Sequence, residues 1–298
     1  MPPRERSGSR SSNRFAFQQS WALRLTLDLH EKPGDYCVLF DVHDDVVALD
    51  HSVTPTKATF YQIKTKTTGN WTAHQLTVQE PGAKGAPLPS ILGKLYDHYL
   101  RFSAHVERLI FVSNAAFNVA TAIPPAGKER DSICMTDLDA TELQGISDKL
   151  TAEHGLTAVP GGLPRTYLER TSLSLTDHET HAEGAICTFL SKQGDGTIPP
   201  HPFHRTVRAE MQRRNNKECA PTTFPELLKQ KGLTRDQFQG MIDSVPSQKG
   251  QDDLLASIRN QLLAEKIDFR RLHALVGGIR TYLAQRQDQT NLLLADGV

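Results

Sequence analysis

Cysteine is scarce in this chain and unpaired in its pattern: Cys37, Cys134, Cys187 and Cys219 stand far apart, with no CxxC spacing. That excludes a disulfide-stapled secreted scaffold and a cysteine-based zinc site, so reduced thiols are expected. Long apolar runs are missing too. No stretch approaches the roughly 20 residues that a bilayer-spanning helix needs, and the N-terminus has no apolar signal core. No membrane role is expected, and the cytoplasm is the default location. An excess of either charge is also absent, because 34 basic residues balance 34 acidic ones. A protein coated in positive potential is thereby excluded, and any contact with nucleic acid must come from a local patch. Aromatic residues make up only 7% of the chain and no fixed-period repeat is evident. What remains is a globular chain of 298 residues, long enough for one large domain or two ordinary ones.

Chemistry-bearing residues concentrate in FDVHDDVVALDHSVTPTKATFYQIKTK, which carries Asp41, Asp44, Asp45, Gln62 and Lys64. Val46–Leu49 is a short apolar run, residues 58–66 alternate, and Thr54-Pro55 punctuates the stretch between them. The pattern predicts two strands joined by a loop. Carboxylates open the first strand, and Gln62 and Lys64, two positions apart on the second, share a face. Acid and amine therefore converge on one edge of the hairpin. A hard divalent cation takes oxygen ligands, commonly one or two carboxylates with water and phosphate oxygens. A lysine beside it can orient the attacking water or offset charge developing on a phosphate. The same residue types also make a polar turn and a solvated lysine, and short motifs match by chance often.

Along the rest of the chain, residues 1–13 are rich in Ser, Arg and Pro and predict a disordered basic arm. Residues 14–30 turn helical, with Phe17, Trp21, Leu25 and Leu29 on one stripe and Leu23 and Leu27 widening it. Lys32-Pro33-Gly34-Asp35 ends that helix, and YCVLF follows as a strand. After the hairpin comes a polar loop in which Trp71 is either a base-stacking platform or a loop anchor. EPGAKGAPLP is expected to be a mobile connection, and Ser90 to N-cap the helix SILGKLYDHYLRF. LIFVSNAAF reads as a buried parallel strand, which gives a sheet with helices on its faces. Beyond it, residues 139–154 predict a helix, 168–175 a short strand and 177–190 another helix. His178 and His181, with His201 and His204 in a proline-rich loop, have irregular spacing and predict no metal site. The last third reads as helical. Its Arg205, Arg208, Arg213 and Arg214 form the best local candidate for a phosphate-contacting patch or for an acidic partner's surface. The stripe Leu254, Leu255, Ile258, Leu262 and Leu263 requires apolar cover.

Three stretches carry a resemblance: FAFQQSWALRLTL; DVHDDVV with FYQIKTK; and SILGKLYDHYLRF followed by LIFVSNAAF. They resemble the PD-(D/E)xK nuclease superfamily, and more narrowly the dsDNA endonuclease domain family of bacterial antiviral effectors. Such domains are fused to a cyclic-oligonucleotide sensor in CBASS systems or encoded beside a HerA-type ATPase. The resemblance implies an α/β, restriction-endonuclease-like core, a mixed sheet flanked by helices, over residues 14–205. A mainly helical assembly or partner-binding region would follow over 206–298. It implies Mg²⁺- or Mn²⁺-dependent hydrolysis of phosphodiester bonds in double-stranded DNA, as an antiviral effector activated by a partner or by assembly.

In that scheme Asp45 and the Ile63 carbonyl hold the metal, with Asp44 the substitute if the strand register slips by one. Lys64 activates the water and Gln62 orients it, while Gln18 approaches the metal from the first helix, with Gln19 a competitor. Lys66, Lys94, Arg205 and Arg208 are the expected DNA contacts. Two departures stand out: Asp41 occupies a position where a glutamate is expected, and Gln62 replaces the acidic member of the tripeptide. Weaker metal binding without DNA follows. Expected partners are duplex DNA, a HerA-type ATPase or a cyclic-oligonucleotide sensor domain, and further copies of the chain. The chain ends in LLLADGV without a sensor domain, which reads as a standalone subunit or a portion of a longer effector. The alternative is a non-catalytic DNA-binding or scaffold subunit of a complex with a motor ATPase; the presence of both Asp45 and Lys64 favours catalysis.

Overall fold

The computed structural model describes residues 7–82, 85–158, 160–193, 198–218 and 220–244, with scattered positions between 256 and 285. In chain order, α1 (Ser7–His30) leads to β1 (Cys37–Phe40), β2 (Val46–Leu49) and β3 (Ala58–Ile63). Next come β4 (Trp71–Thr72), α2 (Ala73–Thr77), α3 (Ile91–Phe102), β5 (Val106–Ser113) and β6 (Phe117–Asn118). Then follow β7 (Ser132–Cys134), α4 (Ala140–His154), β8 (Thr166–Arg170), α5 (His178–Lys192) and α6 (Pro200–Asn216). The last described elements are α7 (Phe224–Lys231), β9 (Gly232–Thr234) and α8 (Arg235–Ser244).

One mixed sheet has seven strands in the order β7-β8-β5-β3-β2-β1-β9. The expected hairpin is present: β2 pairs antiparallel with β3, Val46 opposite Tyr61 and Leu49 opposite Ala58. β3 then pairs parallel with β5, and β5 parallel with β8. Side chains of a strand alternate between faces, and here the alternation feeds two cores. Val38, Phe40, Val46, Ala48, Tyr61, Ile63, Ile110 and Val112 pack with α1, α5, α6 and α8. Cys37, Leu39, Val47, Leu49, Phe60, Leu109 and Phe111 pack with α2, α3 and α4 on the other face. Two buried faces explain why β1 and β2 read as continuous apolar runs rather than alternating ones.

Several helix ends follow from single residues. Ser90 caps α3 by accepting the Gly93 N–H at 2.9 Å, and its own N–H and hydroxyl donate to the Glu153 carboxylate at 2.8 and 2.7 Å. That ties α3 to α4, and it explains Gly93, where a Cβ would run into the Glu153 carboxylate. Gly155 ends α4 with φ +61°, a conformation that costs glycine little.

The structure departs from expectation in five places. Residues 7–13 are not a disordered arm but the first turns of α1, held down by Asn13, which donates to the Leu175 carbonyl and bonds His178 Nε2, each at 3.1 Å. Residues 1–6 lie outside the described residues. Strand β3 ends at Ile63 rather than Lys66, and β8 runs Thr166–Arg170 rather than 168–175. PPHPFH is no loop, since α6 starts at Pro200, where a missing N–H costs nothing in the first helical turn. The residue 205/206 junction falls within α6, and β9 joins the sheet edge beside β1. Part of the segment read as purely helical therefore completes the sheet. The residues Leu254, Leu255, Leu262 and Leu263 lie outside the described residues.

Candidate active site

The turn between β1 and β2 folds back on itself, the Asp41 N–H donating to the Asp45 carbonyl at 3.2 Å with Asp41 at φ +49°. A non-glycine residue in that region carries strain of order 1 kcal/mol or more, and such strain clusters at functional sites. The turn delivers Asp45 to the end of β3. Asp45 Oδ2 accepts the Ile63 N–H at 2.6 Å and the Gln62 Nε2 at 3.1 Å. From the opposite face of the sheet, Gln18 on α1 donates its Nε2 to the Ile63 carbonyl at 3.1 Å. Gln18 is thus the α1 glutamine that reaches the site, while Gln19 lines a small crevice with His204 and Arg208.

Lys64 lies just past β3, but its N–H still donates to the Val112 carbonyl at 3.0 Å, extending the ladder by one residue. Its half-buried side chain is close enough to Asp45 to draw that carboxyl's pKa down. The net direction for Asp45 is nonetheless upward. Burial raises it most, the Ile63 N–H lowers it, the neighbouring Asp44 raises it, and Gln62 and Lys64 lower it.

The three acids of the turn are distinguished by their surroundings. Asp44 turns away from Ile63: its Oδ1 accepts the Asp45 N–H at 3.0 Å, and its Oδ2 faces His98 Nε2 at 3.3 Å. Asp41 leaves its side chain largely in solvent, with Lys231 Nζ 3.5 Å from its Oδ2. Only Asp45 meets the tripeptide Gln62-Ile63-Lys64.

Asp44, Asp45 and Gln62 line a cleft of about 740 Å³, with His98 on its wall and Lys94 and Arg101 along it. Pro87 and Pro89 contribute to it from the connection preceding α3, which closes by a Leu88 N–H bond to the Glu80 carbonyl at 2.7 Å. A larger groove of about 1170 Å³ lies on the α1 side, lined by Trp21, Asp28, Tyr61, Arg108 and Glu169 among others. Asp45 and Gln62 line the smaller cleft and not this groove, which makes the smaller cleft the candidate site.

Among the described residues no three His, Cys, Asp or Glu side chains converge as metal ligands. The oxygens at this end of β3 are the Asp45 carboxylate and the Ile63 carbonyl, while Gln62 faces Asp45 through its Nε2. Gln62 Oε1 is buried without any hydrogen-bond donor, a condition that costs about 1–3 kcal/mol unless something supplies positive charge. Hard oxygens around a desolvated carboxylate fit Mg²⁺ or Mn²⁺, which complete their shell with water and phosphate. They do not fit zinc, whose protein sites carry histidine or cysteine among their ligands.

The other expected contacts are dispersed. Lys94 is exposed on α3 at the cleft. Lys66 is committed to its own loop, donating to the Asn70 carbonyl at 2.7 Å and to Gln75 Oε1 at 2.5 Å, with its ammonium 4.2 Å from the Trp71 ring centroid. Trp71 is the anchor of that loop, buried with its Nε1 donating to Ser113 Oγ at 2.8 Å. Arg205 and Arg208 sit on α6, across the sheet from the cleft, and Arg208 pairs with Glu179 at 2.6 Å. Arg213 and Arg214 both bond the buried Glu210, so three of the four arginines of this cluster are engaged by acids of the chain itself. His178 bonds Ser20 and Asn13, and His201 pairs with Glu183. What sequence reasoning missed is His98, buried at 6% exposure under the Asp44 turn and stacked on Phe60 with centroids 4.5 Å apart. Its place three residues after Leu95 on the buried face of α3 was the available signal.

A family model described as Cap4, dsDNA endonuclease domain, matches residues 6–214. The chain belongs to this Cap4 endonuclease-domain family. The match takes in α1, the hairpin, α3 and α4, and with them every residue that lines the cleft, and the resemblance noted in the sequence holds. A relative, Lamassu protein LmuA from Bacillus cereus (strain VD014), is 26% identical over 249 residues, covering 81% of this chain. The chain spans 65% of that relative's length. A solved structure, the Acinetobacter baumannii Cap4 SAVED/CARF-domain containing receptor with the cyclic trinucleotide 2'3'3'-cAAA, aligns with a TM-score of 0.41 and 12% identity. That alignment covers 77% of this chain and 44% of the receptor. No helix among the described residues is long and apolar enough to cross a membrane.

Proposed function

We propose that this Cap4-family domain is a metal-dependent endonuclease that hydrolyses phosphodiester bonds of double-stranded DNA as an effector of antiviral defence. The observation that carries the reading is the Asp45 carboxylate bonded to Gln62 and to the Ile63 N–H at the end of β3, with Lys64 near enough to act on its charge. Asp45 and the Ile63 carbonyl would hold Mg²⁺ or Mn²⁺, and Gln62 would orient a water bound to it. Bound there, the cation supplies Lewis-acid charge against a phosphate oxygen and lowers the pKa of a bound water.

The chain's own residues do the rest. Gln18 restrains the Ile63 carbonyl through its 3.1 Å bond, fixing where that oxygen points. Lys64 holds the water for attack on phosphorus and faces the negative charge that develops as the P–O bond breaks. Lys94, exposed at the cleft, takes a flanking phosphate. Asp44 stays out of the donor set and shapes the turn. A single carboxylate among the donors gives weak cation affinity until DNA phosphate joins the shell.

The relationship to a Lamassu protein supports the defence assignment. Zero net charge supports activation by a partner or an assembly that presents the DNA, since the domain's own long-range attraction for it is small. The test is cleavage of supercoiled and linear duplex by the full chain and by Lys64→Ala, in Mg²⁺ and in EDTA. Metal-dependent cutting by the parent, lost in Lys64→Ala, is expected. Cutting that persists in EDTA or in the variant overturns the reading.

A further inference from the structure

Directly beneath the Asp45 turn lies a buried pair that the mechanism above leaves unused. The Asp44 side chain is 4% exposed and the His98 side chain 8%. His98 projects from α3, its ring lying parallel to Phe60 at an interplanar angle of 15°. Its Nε2 is 3.3 Å from Asp44 Oδ2, while its Nδ1 is buried with no partner. With Asp44 as the acceptor, the proton of a neutral imidazole resides on Nε2. The bare Nδ1 then faces the interior, a cheaper arrangement than a buried N–H without an acceptor.

The other oxygen of Asp44 accepts the Asp45 N–H at 3.0 Å. A continuous chain of contacts thus runs from α3 through His98 and Asp44 to the Asp45 backbone, and from the Asp45 carboxylate to the Ile63 N–H. The turn that it braces is the one with Asp41 in a strained conformation. Without a brace, that strain has a route of relief that would swing the Asp45 carboxylate away from Gln62.

We propose that His98 is a positioning residue for the nuclease site: by holding Asp44 it fixes the Asp44-Asp45 peptide and so aims the Asp45 carboxylate at the metal position. The inference rests on the metal-dependent reading given above. His98 bonds Asp44 and stands outside the set of residues that would hold the metal. It acts as the outer-shell partner of a carboxylate, a role whose loss lowers metal affinity about 10–100-fold in metal sites generally.

The experiment measures metal affinity without turnover. Mn²⁺ is titrated calorimetrically into the full chain carrying Lys64→Ala and bound to duplex DNA, with His98, His98→Phe or His98→Gln in the same background. Phenylalanine keeps the stacking on Phe60 and removes the bond, whereas the glutamine amide can still reach Asp44. The expected result is Mn²⁺ affinity at least about tenfold weaker with His98→Phe and within about twofold of the parent with His98→Gln. Unchanged affinity in His98→Phe overturns the proposal. So does an equal loss in both variants, since a donor restored to Asp44 would then restore nothing.

Should His98→Phe fail to fold, Asp44→Ala takes its place. It removes both oxygens through which the chain of contacts passes, and it is expected to show the same tenfold loss; parent affinity in that variant equally overturns the proposal. Failure of the underlying reading is recognised separately, by a parent chain that does not cleave duplex in Mg²⁺, and the role of His98 falls with it.

Discussion

Restoring the missing acid, Gln62→Glu, should make the metal-free chain less stable and the metal-bound chain more so. Gln62 Nε2 donates to Asp45 Oδ2 at 3.1 Å, a bond to a charged acceptor. Such bonds contribute about 1.5–3 kcal/mol, and the substitution removes it. It also sets two carboxylates at that spacing, where like charges repel by roughly 5 kcal/mol at an effective dielectric near 20. The pair escapes part of that repulsion by taking up a proton, which for an ordinary glutamate costs about 3–4 kcal/mol at pH 7. Proton uptake turns the second carboxyl back into a donor and recovers the bond, so the net cost is about 2–4 kcal/mol.

For a folded region of this size, each kcal/mol moves the melting temperature by about 2–4 °C, so a fall of roughly 4–16 °C is expected in EDTA. A divalent cation bound between the two carboxylates reverses the sign. Mn²⁺ should therefore raise the melting temperature of Gln62→Glu by more than it raises that of the parent. Thermal melts of both chains in EDTA and in Mn²⁺ read this directly. An unchanged melting temperature in EDTA would refute the close approach of Gln62 and Asp45. A drop that Mn²⁺ does not recover would refute the metal site.

Other outcomes follow from the same geometry. Lys64→Ala should lower duplex cleavage at least about 100-fold, as loss of an electrostatic transition-state contact does, while its melting temperature stays within a few degrees because the side chain is only half-buried. Lys94→Ala should weaken DNA binding and reduce the salt slope by about one. Arg208→Ala, whose guanidinium pairs with Glu179 across the sheet from the cleft, should leave both unchanged in an electrophoretic titration at several salt concentrations.

Burial raises the folded pKa of Asp45 above its unfolded value. The metal-free chain is therefore favoured below the ordinary carboxylate range and loses that contribution as pH rises through the raised pKa. Asp45→Asn should remove this loss, giving a flatter pH–stability curve in EDTA together with no response to Mn²⁺. A steeper curve in the variant would contradict the sign.

The hairpin and its neighbours were legible because each is specified locally. The apolar run Val46–Leu49, the Thr54-Pro55 break, the Ser90 cap and the continuous run in β5 all act within a few residues. Asp45 was separable from Asp44 only through register: Val46 opposite Tyr61 places Asp45 opposite Gln62, a long-range fact. What sequence could not reveal depended on distant partners. The first turns of α1 have no apolar periodicity and are held by contacts from Asn13 to Leu175 and His178. Three residues of β9 embedded between α7 and α8 become a strand only because β1 offers an edge. The basic cluster on α6 read as a phosphate patch because the acids that pair with it include Glu179, far from it in sequence.

The most direct measurement is the position of Mn²⁺ by anomalous scattering in crystals of the Lys64→Ala chain with duplex DNA. The account predicts one peak about 2.0–2.3 Å from the Asp45 carboxylate and the Ile63 carbonyl, with a DNA phosphate oxygen completing the shell. A Mn²⁺ peak elsewhere, with none at Asp45 while DNA occupies the cleft, would contradict it.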